Sequence, residues 1–273
     1  MHRFFNTFIM RKIYILLVTF LVCGSVWAQD IQPVHIGVRV GVNGSSILVP
    51  HSTIDNMVLK GYNSQQKFNV GGSAGIYANF RIAKNVSLQT GLYYSYMRLG
   101  QSQSSFFTDT NNINYSIGSD NDYRLHRLRL PLMVNYHFSE GPKHVVVGAG
   151  LYFDCALSGQ LTYDASFVLQ SPNGSKSSYF ADGDCNPFMK DMKYLYYREG
   201  QSDYVQKYAL YEGNLLNRFD MGACLELGYQ ISKAYIGIRA DFGFLNIVNE
   251  NFYGKGFKER NLNLQLMIGY QIN

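Results

Sequence analysis

The sequence predicts an all-β chain: an eight-stranded antiparallel up-and-down transmembrane β-barrel with long extracellular loops and short periplasmic turns. Three observations carry this. Only 16% of the 273 residues are charged while 47% are hydrophobic, whereas soluble domains carry about 25% charged residues. Mean hydropathy is nevertheless -0.13, too low for a bundle of helices that each need about 20 consecutive apolar residues. Finally, 22 Tyr and 26 Gly stand against 6 Pro, and short segments alternate apolar with polar residues. Strands with one face in lipid and the other in a polar lumen alternate in this way.

Residues 1–28 form the first element, a predicted signal peptide. Arg11 and Lys12 precede an apolar run over 13–22, and a stretch with small residues then ends Val26-Trp27-Ala28, with a cut after Ala28. The apolar run is short for a membrane anchor, and polar sequence follows at once. Val22 before Cys23 disfavours lipidation there. Met10 is an alternative start, since residues 1–9 add little to the leader. The barrel domain is then 29–273.

Eight period-2 segments follow: 34–43, 68–81, 85–98, 123–138, 143–157, 218–231, 234–245 and 260–272. In the first, Val34, Ile36, Val38, Val40 and Val42 oppose His35, Gly37, Arg39 and Gly41. In the sixth, Phe219, Met221, Ala223, Leu225 and Leu227 oppose Asp220, Gly222, Cys224, Glu226 and Gly228. An even number suits a closed antiparallel barrel. The connections alternate: 83–84, 139–142 and 232–233 are short, while 44–67, 99–122, 158–217 and 246–259 are long. This alternation predicts periplasmic termini in an outer membrane. Aromatic residues of lipid-side parity fall in two groups, as interfacial girdles do. Phe80, Tyr136, Phe138, Tyr229 and Tyr270 lie near short turns; Tyr94, Tyr96, Phe153, Phe219, Phe242 and Phe244 lie near long loops. A soluble lipocalin-like barrel would reverse the polarity, with apolar residues inside.

The formal charge is +5. Removing Arg3, Arg11 and Lys12 with the leader takes the 24 basic residues to 21 against 19 acidic, a net of +2. No basic cluster predicts a nucleic-acid partner. Cys155, Cys185 and Cys224 remain after export; a Cys155–Cys185 disulfide and three unpaired thiols both fit the spacing, and no zinc pattern exists.

Several segments resemble the PorT-like outer-membrane β-barrel domain of Bacteroidota exported proteins: IGVRVGVNGSS at 36–46, GGSAGIYANFRIAKNVSLQTGLYYS at 71–95, LRLPLMVNYHF at 128–138, VVVGAGLYFD at 145–154 and the closing NLNLQLMIGYQIN. The resemblance implies a small barrel of the OmpA/OmpX type. It also implies insertion by the barrel-assembly machinery and contact with outer-membrane lipid and lipopolysaccharide. PorT itself is implicated in type IX secretion, so an accessory role in protein secretion is one alternative. Asn273 departs from the aromatic end common in outer-membrane proteins, and the 158–217 loop is long for the family.

Inward parity gathers Arg39, Arg81, Arg127, Arg129, Asp154, Glu226, Arg239 and Asp241. An eight-stranded barrel leaves an interior just wide enough for side chains, and buried charges need partners. A lumen-filling ion-pair network is therefore expected. An enzyme is not expected: His126, Asp122, Asp120, Asp154 and Asp220 near the outer rim are candidates for a rim-site hydrolase, but no motif joins them. Tyr residues crowd the 158–217 loop, and Tyr179, Tyr194, Tyr196, Tyr197, Tyr204 and Tyr208 are candidates for binding a surface or secretion-system protein, because Tyr gives contact area at low entropic cost. The same tyrosines would serve equally as extensions of the strands above the membrane. Asp182-Gly183-Asp184 lacks the rest of a calcium loop, so no metal and no cofactor is predicted.

Overall fold

The computed structural model describes residues 34–49, 63–108, 111–189, 193–198, 208–212, 214–249 and 258–273, and these contain strands and no helix. The leader 1–28 lies outside the described residues. The strands are β1 (His35–Leu48), β2 (Asn63–Lys67), β3 (Asn69–Ala83), β4 (Val86–Thr108), β5 (Asn114–His137) and β6 (Lys143–Gln170). After them come β7 (Lys176–Cys185), β8 (Lys193–Arg198), β9 (Tyr208–Glu212), β10 (Phe219–Ile231), β11 (Ala234–Gly243) and β12 (Arg260–Gln271).

Eight of these close a ring in the order β1-β3-β4-β5-β6-β10-β11-β12 and back to β1, every pair antiparallel. The polarity is that of a lipid-embedded barrel. Val40 is 56% exposed while its neighbour Arg39 is 5% exposed, and Leu225 is 54% exposed beside Glu226 at 3%. Apolar side chains face outward and charged ones are buried inside. The girdle residues Phe138, Tyr270, Phe219 and Phe244 are all exposed on this outer surface.

Glycine and tyrosine fill the inside as pairs. Gly37 stands across from Tyr77, Gly75 from Tyr93 and Gly222 from Tyr152. A Cβ on Gly37 would come within 2.5 Å of the Tyr77 ring, so each ring lies in space that the glycine leaves vacant. Part of the excess of both residue types follows from this packing.

Two expectations need correction, and the alternative left open for the cysteines is settled. The predicted loops 99–122 and 158–217 are largely strand. β4, β5 and β6 contain 23, 24 and 28 residues, where 9–11 cross a membrane. The dozen or more extra residues at about 3.3 Å each reach on the order of 40 Å beyond the ring along the strand. β2 adds to the free side of β4 and β7 to that of β6, with β8 and β9 beyond. A bulge between His126 and Arg127 keeps the inward face continuous, so Leu161 is as buried as Tyr123 opposite it. The Cys155–Cys185 disulfide does not form. Cys185 pairs with Leu161, six residues up β6 from Cys155, a separation of roughly 20 Å where a disulfide spans less than about 7 Å between Cα atoms. The first short turn is also one residue later than expected, at Lys84-Asn85.

At the seam, the Asn273 side chain takes the place of another ladder rung: Ile36 N donates to Asn273 Oδ1 at 2.7 Å, and Asn273 Nδ2 donates to Val34 O at 2.9 Å.

Candidate functional site

Inward side chains fill the ring in two polar tiers between a cavity at the short-turn end and an apolar cap at the other. In the lower tier Glu226 stands directly across from Arg239 in the β10–β11 register. Arg239 donates to Glu226 Oε2 from Nε at 2.9 Å and Nη2 at 2.5 Å, and Arg39 reaches over from β1 to Oε1 at 2.9 Å. Tyr235 OH donates to the same Oε1 at 2.6 Å. Gln89 Oε1 accepts from Arg39 Nη2 at 3.0 Å and from Asn135 Nδ2 at 2.9 Å. The Arg39 guanidinium also lies 4.6 Å from the Tyr77 ring centre and 4.2 Å from that of Tyr235, within cation–π range.

In the upper tier Arg129 forks onto Asp154, with Nε donating to Oδ1 at 2.8 Å and Nη2 to Oδ2 at 2.7 Å, the bidentate geometry that makes such pairs strong. Its remaining Nη1 bonds Asp241. Arg127 lies 3.5 Å from Asp154 and 3.8 Å from Asp220. Asp220 accepts from Tyr152 OH at 3.0 Å, and Asp241 from Asn263 Nδ2 at 2.8 Å.

Of the inward charges expected from parity, all but Arg81 lie in these two tiers. Arg81 has inward parity but stands too low: half-buried at the short-turn mouth, it donates to Lys84 O from Nε at 3.1 Å and Nη2 at 2.5 Å. Asp220 was expected at the rim and is buried in the upper tier. Tyr77, Tyr93, Tyr152 and Tyr235 carry inward parity in the sequence too, but their part in holding the guanidiniums depends on register, which parity does not give.

The mouth around Arg81 opens into a cavity of about 420 Å³. One wall holds a directed chain. Gly141 O can only accept, so His144 Nδ1 carries a proton toward it at 2.8 Å. His144 Nε2 then accepts from His137 Nδ1 at 3.0 Å, and the Ser87 hydroxyl donates to His137 Nε2 at 2.8 Å.

The other end is capped. Met97, Leu99, Tyr123, Leu125 and Leu161 line the ring there, and Phe188, Leu215, Leu216, Ile247 and Val248 pack onto them from three short segments. These segments are laced together: Leu215 N donates to Pro187 O at 2.9 Å, Asn217 N to Ile247 O at 2.8 Å and Asn249 N to Leu215 O at 2.8 Å. Glu259 is buried beside this cap, with Gln101 Nε2 donating to its Oε1 at 2.5 Å. Burial pushes its carboxyl up to about 7 against the opposing pull of that hydrogen bond.

The rim-hydrolase candidates do not assemble. His126 is half-buried on the outer face between Tyr94, whose hydroxyl bonds its Nδ1, and Tyr96, while Asp154 and Asp220 are buried inside. Asp120 accepts from Lys67 at 2.7 Å, and Asp122 from Arg98 at 2.9 Å. Of the candidate tyrosines, Tyr179 is half-buried with its ring 6.1 Å from that of Phe167, in a row with Tyr115. Tyr194, Tyr196 and Tyr197 lie in β8 and Tyr208 in β9. Tyr204 lies outside the described residues.

Among solved structures the chain is similar to the attachment invasion locus protein Ail of Yersinia pestis, at 10% identity and TM-score 0.35, covering 88% of this chain and 100% of that one. Neisserial surface protein A is similar at 10% identity and TM-score 0.31, covering 89% and 100%. OprG of Pseudomonas aeruginosa is similar at 9% identity and TM-score 0.33, covering 88% and 94%. No curated protein matches the sequence. The family model described as "Outer membrane protein beta-barrel domain" matches residues 27–249, and with a closed ring, an apolar exterior and a charged interior, the chain belongs to that outer-membrane family.

Proposed function

We propose that this chain is a non-enzymatic outer-membrane protein that presents its elongated strands above the outer leaflet as a binding surface for a protein partner. The observation that carries this reading is the extension of β4, β5 and β6 far beyond the membrane-crossing length, widened by β2 and β7. A barrel serving only as a membrane plug has no need of a sheet that long. The aromatic row Tyr115, Phe167 and Tyr179 on the face continuous with the lumen supplies contact area.

In this reading the lumen passes no solute, the termini and short turns are periplasmic, and the outer surface meets lipid and lipopolysaccharide after insertion by the barrel-assembly machinery. Residues 1–28 are removed as a signal peptide. N-terminal sequencing of the mature protein should read from Gln29. The role as a PorT-type secretion accessory rests only on the sequence resemblance.

Replacing 163–183, the far part of the β6–β7 hairpin, by a short turn tests the proposal. Partners captured from intact cells by the wild-type protein should be lost by the shortened one, while both keep the heat-modifiable gel mobility of a folded barrel. Undiminished capture would sink it.

A further inference from the structure

The cavity at the short-turn mouth has a charge imbalance that the ion-pair network does not remove. Its floor is Arg39, which shares the single carboxylate of Glu226 with Arg239. Two more cations line its walls, and both are held by neutral carbonyls: Arg81 by Lys84 O and, at 3.2 Å, Lys233 by Ile272 O. Among the described residues neither has a carboxylate within ion-pair distance, and the one acid in the lining, Glu140, leans to Lys84 at 3.8 Å. The surplus acid of the lumen lies in the upper tier, where Asp154, Asp220 and Asp241 face Arg127 and Arg129. The positive pole of the molecule's interior is thus an open, half-enclosed well whose low-dielectric walls focus its field.

The cations also surround the well. Arg81 lies near the end of β3, Lys233 lies in the β10–β11 turn three strands away around the ring, and Arg39 forms the floor. A planar carboxylate faces one or two such directions. A tetrahedral oxyanion presents oxygens to all three, and its two charges match the two unpaired cations.

We propose that this well is a binding site for a small soluble dianion bearing a phosphate group, held by Arg81 and Lys233 above the Arg39 floor. A phospholipid headgroup is not the occupant, because the well opens inside the ring of strands while lipid packs outside it. That the ligand arrives from the periplasm rests on the orientation proposed above; binding by the purified protein does not, so the two can fail separately.

The test is calorimetric titration of the full mature protein in nonionic detergent with inorganic phosphate at constant ionic strength. Saturable binding is expected, weakened at least about tenfold by Arg81→Gln with Lys233→Gln, and unchanged by Arg124→Gln on the outer face, with heat-modifiable mobility retained throughout. No saturation up to about 10 mM phosphate, equal affinity in the double variant, or binding only to phosphatidylglycerol vesicles would each overturn the proposal.

Discussion

Glu226 shows how much of the interior hangs on one side chain. It accepts from Arg39, Arg239 and Tyr235, which come from β1 and β11. Glu226→Ala would leave two guanidiniums buried together with no counter-charge, and breaking a buried pair in that way costs about 3–5 kcal/mol. A lower urea midpoint and partial loss of heat-modifiable mobility are expected; a midpoint equal to that of wild type would show that the network contributes nothing to stability. Parity alone marks Glu226, Arg39 and Arg239 as inward, because period-2 alternation is visible in any strand with one wet and one apolar face. It cannot say which of them meet. Glu226 and Arg239 meet because of the β10–β11 register, Arg39 joins them across the ring, and Arg81 drops out because it sits a few residues lower on its strand.

At the scale of elements, the strands that cross lipid are legible and those above it are not. Residues 101–105, Gln-Ser-Gln-Ser-Ser, lie in β4 with water or polar neighbours on both faces, so nothing alternates and the segment reads as loop. The same holds for 118–122 on β5. The cap was equally hidden, since Phe188, Leu215 and Val248 are isolated apolar residues in short segments that come together only in three dimensions. Glu259 beside that cap gives it a pH dependence. Its folded pKa, about 7, is above the ordinary glutamate value of 4.5, so the folded state holds the proton more tightly than the unfolded one. Its contribution is fully present below about pH 4.5 and is lost as pH rises through 7, an effect on the order of 3 kcal/mol. The wild-type urea midpoint should therefore fall between pH 5 and pH 8 by more than that of Glu259→Gln, which keeps a partner for Gln101. Parallel pH profiles in the two proteins would place the cap's stability elsewhere.

For the whole molecule, cap and network act in series. An eight-stranded ring has little room to begin with; the lower tier crosses it from β1 to β10, the upper tier from β5 to β11, and the apolar cap closes what remains at the end opposite the short turns. An ion entering the well from the short-turn side should meet Arg39 and go no further, because displacing the guanidinium would break its bonds to Glu226 and Gln89. The purified protein in a planar lipid bilayer should accordingly show no steady conductance at moderate voltage. Cutting back the cap with Leu215→Ala and Val248→Ala should not open it, since both polar tiers still stand beneath. Adding Arg39→Ala and Arg129→Ala to those changes removes one spanning side chain from each tier and should give current if the barrel still folds. Steady conductance through the wild-type protein, or through the cap variant alone, would mean that the polar tiers do not block the lumen.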